Sequence, residues 1–261
     1  MIRPLIALAL LLLATPAPAQ MWPNPGPGHA AYGGGGGGSE TFTFVGAMYG
    51  ATDGASTTVS ATGSVSIVSG DLIIVGAQWE DNASAEVTLI QDDSNANGVG
   101  TKDSEIHNAG SFMNLHLWWG IAGTTRTATS FDVDIDTSVS FKKAVVMVYR
   151  PSGGTVSKDL TGTPGAADDT DTSDTPTTGS FSTTGSHNVV CGVAGIYTGG
   201  NWNDAAPVIN AVAADHTTGQ SNSGMLMWCD DDSGALSGVT AQADYSANRV
   251  WVANAIAFKA E

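Results

Sequence analysis

The sequence predicts an all-β protein: a two-sheet antiparallel sandwich of jelly-roll-like form, made of two structurally similar halves. Three observations predict it. Short apolar or alternating runs, separated by Gly-, Asn-, Asp- and Ser-rich turns, fill the chain with almost no helical periodicity. Charged residues are only 13% while glycines number 33, as expected of short strands joined by polar turns. The last third of the chain is also a degenerate copy of the middle third. Leu115-His116-Leu117-Trp118-Trp119 recurs as Met225-Leu226-Met227-Trp228-Cys229, and Phe131 to Asp136 recurs as Val239 to Asp244. Val145 to Arg150 recurs as Asn254 to Lys259, and Gly70 to Val75 has a looser counterpart in His187 to Cys191. An echo of this length is one supersecondary unit used twice, with half-repeats at about 64–150 and 184–261.

Taken in order, the chain opens with Met1-Ile2-Arg3-Pro4, an apolar run from Leu5 to Ala14, and Ala17-Pro18-Ala19. A basic start, a short apolar core and an Ala-x-Ala exit predict a secretory signal peptide over 1–19, with no membrane span left after cleavage. The expected location is secreted, extracellular or periplasmic. Residues 20–40 are rich in Pro and Gly and carry little to bury, which predicts a flexible linker; Trp22 and Tyr32 are its sizeable apolar groups. Residues 41–261 are long enough for a single β-sandwich domain.

Within that domain, Leu72 to Ala77 and Ala144 to Tyr149 are continuous apolar runs that suit deeply buried strands. Phe131-Asp132-Val133-Asp134-Ile135-Asp136 alternates and suits a half-buried strand with its carboxylates on a wet face. Further strands are expected at 41–47, 64–68, 87–91, 115–120, 189–196, 225–228, 239–245 and 250–258. Residues 151–183 read as a coreless loop joining the halves, which should pack on each other because a half-sandwich leaves an apolar face bare. Cys191 and Cys229 both fall in strands of the second half, and their even number in an exported chain suggests a disulfide; two buried thiols are the alternative.

There are 25 acidic against 9 basic residues, a formal charge of −16. That balance argues against nucleic acid and anionic membranes as partners, because both need a basic footprint. The opening Phe44-Val45-Gly46, then Ser69 to Val75, Leu117-Trp118-Trp119 and the closing Ala255 to Lys259 resemble a group of bacterial and phage-associated secreted β-sandwich domains. The Pro-Gly entry at Pro23 to Gly28 is similar to N-terminal segments of some phage-encoded proteins. The resemblance spans about 215 residues, implies a recognition or structural role, and brings no catalytic residue.

Candidate chemistry is sparse. Asp93-Ser94-Asn95-Ala96-Asn97-Gly98 fits the first half of a calcium loop, with Asp93, Asn95 and Asn97 as oxygen donors, but Ser104 stands at the twelfth position. The same residues also make a plain turn. Asp132, Asp134 and Asp136 read as a solvated face, since the copy carries Thr240 and Gln242 at two of these positions. Glu80-Asp81 is the one carboxylate pair beside an aromatic, and neighbours in a strand point to opposite faces. His29, His107, His116, His187 and His216 show no metal spacing. Trp202, Trp79 and Tyr197, with Asn201 and Asp204, stand at strand ends or in loops where sugar-stacking platforms sit, whereas Trp118 and Trp228 occupy equivalent strand positions and suit the core. The expected protein is a non-enzymatic module without a cofactor other than a candidate calcium, recognising a glycan or cell-surface component. The runner-up is a self-associating subunit of a fibre or virion appendage, and a lectin-fold glycan-degrading enzyme comes third.

Overall fold

The computed structural model describes residues 40–80, 84–108, 113–168, 173–197, 207–219 and 224–261. The predicted signal peptide, the predicted linker up to residue 39, and Asn201, Trp202 and Asp204 lie outside the described residues. No helix occurs among those described, and every strand pairing is antiparallel. The architecture is an all-β sandwich.

The first sheet contains β1 (Phe42–Thr52), β2 (Ser56–Ile67), β3 (Leu72–Glu80), β4 (Val87–Asp92), β5 (Thr101–Asn108), β6 (Met113–Ile121) and β7 (Arg126–Pro151). The second half of β7 runs between β1 and β3, and the ladder continues through β6 to β5. Its first half pairs instead with β2 and β4. The two halves meet near Phe141, a bulky residue held at φ +49°.

Next come β8 (Val156–Lys158), β9 (Thr161–Gly162), β10 (Ala166–Asp168), β11 (Phe181–Ser182) and β12 (Asn188–Ile196). They are followed by β13 (Val208–Ile209), β14 (Val212–Ala213), β15 (His216–Gly219), β16 (Met225–Ser233), β17 (Ala241–Gln242) and β18 (Trp251–Ala260). The second sheet has the order β10-β18-β12-β16-β15, with β8 also on β18. The segment 151–183 is therefore not a bare loop, because it supplies β8 and β10 as the edge of this sheet. Strands of three residues or fewer leave no periodicity to read in a sequence.

Two ladders share one order and one register. Leu72 pairs with Tyr149 and Val75 with Trp118; at the echoing positions Val189 pairs with Phe258 and Gly192 with Trp228. The ladders face each other with β6 against β18 and β7 against β16. Gly76 and Val193 hold equivalent positions and meet between the sheets, a Cβ at Gly76 falling 3.2 Å from Val193 Cγ2. Gln78 likewise meets its equivalent, Gly195. Both observations fit an approximate two-fold axis running along β3 and β12. Where a position meets its own equivalent on such an axis, two full side chains would collide, and one partner is glycine in each case.

Burial explains the layering. Every residue of β3 and of β12 is buried. Leu72, Ile74, Met147 and Tyr149 of one sheet pack on Val189, Cys191, Ile256 and Phe258 of the other to form the central core. On the far side of the first sheet, Ile73, Val75, Val146 and Val148 are covered by Val59, Phe131, Val133 and Ile135. On the far side of the second, Val190, Ala194, Ala255 and Ala257 are covered by Phe181, Ile209, Ala243 and Tyr245. The alternation at Phe131 to Asp136 is that of a strand with one wet face. Its echo at 239–245 also serves as a cover, although only Ala241–Gln242 is strand there.

Gly192 lets Trp228 lie flat on the sheet, since a Cβ there would stand 2.4 Å from the indole ring. Its equivalent Val75 leaves Trp118 only partly buried, while Trp228 is fully buried. Gly192→Val should therefore lift Trp228 out of its cluster and lower stability by about 2 kcal/mol or more in urea unfolding followed by tryptophan fluorescence. Cys191 and Cys229 are directly opposite one another on β12 and β16 and form a disulfide. Replacing both by alanine should cost about 4 kcal/mol for a loop of 38 residues, measured in the same way.

Candidate functional site

The residues the sequence singles out are scattered. Trp79 is not a platform: it lies on the outer face of β3 beneath the covering strands and is fully buried. Tyr197, at the end of β12, is 38% exposed. Among large apolar residues described as exposed, the only other aromatic is Phe141, at 44%.

Tyr197 and Phe141 belong to the same end of the sandwich. At that end Gln78 Nε2 donates to the Ile196 carbonyl at 3.3 Å, tying the two sheets together. Glu80 and Lys143, both nearly buried, face one another there at 3.7 Å. Burial holds the Lys143 ammonium below its ordinary pKa against the opposing pull of Glu80 and Asp53. Asp81, the other half of the predicted carboxylate pair, lies outside the described residues.

The calcium-like turn is organised by a residue the motif does not include. Buried Asp92 accepts from the backbone N–H of Ser94 and Ala96 at 3.2 and 2.8 Å, and from Asn97 Nδ2 at 3.0 Å. Burial opposes its charge, but these donors outweigh it and hold its pKa below the ordinary value. Asp93 is engaged by Arg126 at 2.6 Å and by the Thr129 hydroxyl. The Asn97 amide oxygen accepts from Thr124 N–H at 2.9 Å, and Asn95 is exposed at φ +58°. The expectation that Asp93, Asn95 and Asn97 turn their oxygens toward one cation is thus corrected: Asp93 and Asn97 already serve protein donors. The motif spacing is met, but the turn closes on Asp92 instead.

An acidic trio, Asp215, Asp230 and Asp231, gathers where β15 meets β16. His216 Nε2 is 3.1 Å from Asp231, and its ring stacks on Phe44 at 4.1 Å. Burial raises the Asp215 pKa, helped by Asp230 and Asp231 and opposed by His216.

A second constellation sits on the outer face of the first sheet, along the β5–β6 pair. Glu105 is opposite His116 and His107 opposite Asn114, so all four side chains share one face in two alternate rungs. Trp79 packs on the His116 ring at 4.4 Å, and Glu86 approaches from the start of β4. His116 is fully buried, and neither ring nitrogen has a hydrogen-bond partner. Burial, and then the charge of Lys102, push its pKa from the ordinary 6.5 down to about 3, so the ring is neutral. Its Nε2 stands 3.8 Å from Glu105 and its Nδ1 4.0 Å from Glu86. His107 Nδ1 bonds the Asn114 side-chain oxygen, leaving Nε2 toward Glu105 at 3.6 Å.

No protein-family model, curated protein or solved structure matches this chain. The site is therefore read from its own geometry. Sequence spacing misses the histidine pair because His107 and His116 come together only through strand register. The signal present in the sequence is Glu105-Ile106-His107 followed by Asn114-Leu115-His116, two alternating polar pairs on strands that can form a hairpin.

The acidic trio gives a pH prediction. A carboxyl whose folded pKa is raised binds its proton more tightly in the folded state. It therefore subtracts stability as the pH rises from the ordinary value of 3.8 through the folded pKa. Asp215→Asn should stabilise the protein by about 0.5–1 kcal/mol at pH 7, with the gain vanishing below pH 3.8 when urea unfolding is compared across pH.

Proposed function

We propose that this chain is an exported, non-enzymatic recognition module that binds a glycan or cell-envelope component at the Tyr197 end of the sandwich. One observation carries the reading: among the described residues, the two aromatic rings in the set of exposed large apolar side chains, Phe141 and Tyr197, both belong to that end. Aromatic faces stack on sugar rings, and strand ends leave them free to do so. Phe141 adds support because a bulky residue at φ +49° carries backbone strain, which tends to persist at functional sites. Tyr197 holds the position that Glu80 holds in the first ladder, so the two equivalent strand ends carry different chemistry at one end of the fold. The predicted partners Asn201, Trp202 and Asp204 follow within seven residues of Tyr197 in the chain. We also read the two ladders as one unit used twice, in keeping with the secreted and phage-associated sandwiches that the sequence resembles.

The appendage-subunit alternative draws less support from the edges. Edge strand β15 has four residues, and edge strand β5 carries Lys102, Glu105 and His107, features that discourage strand-to-strand assembly.

Co-sedimentation of the full chain with insoluble cellulose, chitin and peptidoglycan tests the proposal. Binding to at least one is expected, with Tyr197→Ala and Phe141→Ala each weakening it about tenfold, the worth of one stacked ring. Failure to bind any of them, or full binding by both variants, would remove the reading. Multimers in light scattering would then favour the appendage subunit.

A further inference from the structure

We propose that Glu105, His107 and His116 form a binding site for a divalent transition metal of the zinc class, independent of the recognition surface at the Tyr197 end. One donor atom from each of the three lies within 4.8 Å of the other two. Two imidazoles and a carboxylate are a donor set such ions favour.

His107 Nε2 lies 3.6 Å from one Glu105 carboxylate oxygen and His116 Nε2 lies 3.8 Å from the other, each short enough for an ion about 2.1 Å from both atoms of the pair.

His116 is fully buried with no hydrogen-bond partner on either ring nitrogen, and its Nε2 faces Glu105 while its Nδ1 faces Glu86. A cation held between His116 and Glu105 gives the buried ring the partner it otherwise lacks.

The fold does not require this polarity. Leu226 stands at the position equivalent to His116 in the second ladder, packed against the outer apolar cluster, and Gly219 pairs with it where Glu105 pairs with His116. The same ladder thus closes with an apolar side chain when no ligand is needed.

Lys102 gives the site a built-in competitor. Its ammonium lies 2.7 Å from Glu86 and also contacts Glu105, so it neutralises both carboxylates while leaving His116 unpartnered. Its side chain is 32% exposed, so its ammonium reaches the site from the solvent side, where an ion would displace it. Glu105 and the His107 ring are also partly exposed, which opens the site from the solvent side, while Trp79 and His116 close it from the core.

The test is calorimetric titration of the chelator-treated full chain with Zn²⁺, supported by the visible absorption of Co²⁺ and by melting temperature. One Zn²⁺ per chain is expected, with micromolar or tighter affinity undiminished by millimolar Ca²⁺, and with a melting temperature that rises with Zn²⁺. His116→Leu, which installs the side chain of the equivalent position, should weaken binding by about 100-fold while its metal-free melting temperature stays near wild type. Glu105→Gln keeps the shape and should weaken binding comparably, which decides the matter if His116→Leu fails to fold. Lys102→Ala should tighten binding about tenfold by removing the competing charge. Two results would overturn the site: no Zn²⁺ binding tighter than about 100 µM, or wild-type affinity in His116→Leu and Glu105→Gln, which would move the ion elsewhere, such as to the Asp215 trio.

Discussion

Strands β3 and β12 are apolar on both faces, and the rest of the molecule is arranged to keep both faces dry. A strand of this kind cannot sit in a simple sandwich, where one face of each sheet meets water. The inner faces are satisfied by each other across the approximate two-fold axis, with Met147 and Tyr149 meeting Ile256 and Phe258 in the central cluster. The outer faces need separate covers. The first sheet obtains one by extending β7 to 26 residues and redirecting it near Phe141, so that Phe131, Val133 and Ile135 lie over Val75 and Val146. The second assembles its cover from short pieces, β11, β13 and β17, which bring Phe181, Ile209 and Ala241 over Val190 and Ala194.

Close packing of two such sheets also dictates where glycine stands. Gly76 faces Val193 and Met225 so closely that a Cβ would lie 2.9 Å from the methionine methyl, and Gly192 supports the flat face of Trp228. At both positions the strand gives up a side chain, and some intrinsic strand stability, in exchange for contact between layers.

Against this shared frame, the differences between the two ladders mark where chemistry resides. Position by position, the first ladder carries Gln78, Glu80, Lys143 and His116 where the second carries Gly195, Tyr197, Val252 and Leu226. The second set shows that the ladder closes without charged groups at these points. Burying a lysine, a glutamate and an unpartnered imidazole is costly, and with Asp71, Asp92 and Lys142 they place most of the described buried ionisable groups on the first sheet. The exposed aromatic of the second set, Tyr197, sits at the same end as the Glu80–Lys143 pair.

What the sequence determined by itself is the period of its strands. Alternation at Phe131 to Asp136 and continuous apolar runs at Leu72 and Ala144 specify strands and their depth, because side-chain direction along a strand is fixed by local geometry. The apolar runs at Leu72 and Val189 also pair alike, Leu72 with Tyr149 and Val189 with Phe258. The sequence did not determine which polar residues meet. Asp93 and Asn97 look like cation ligands by spacing, yet Arg126 and Thr124, far along the chain, reach them first. Trp79 looks like a loop-edge platform, yet the first half of β7 covers it. His107 and His116 have no motif between them and are brought together by the β5–β6 register, while Glu86 is added from another strand. Such convergences depend on strand register and on which layer lies over which, and both are settled by packing between segments distant in the chain.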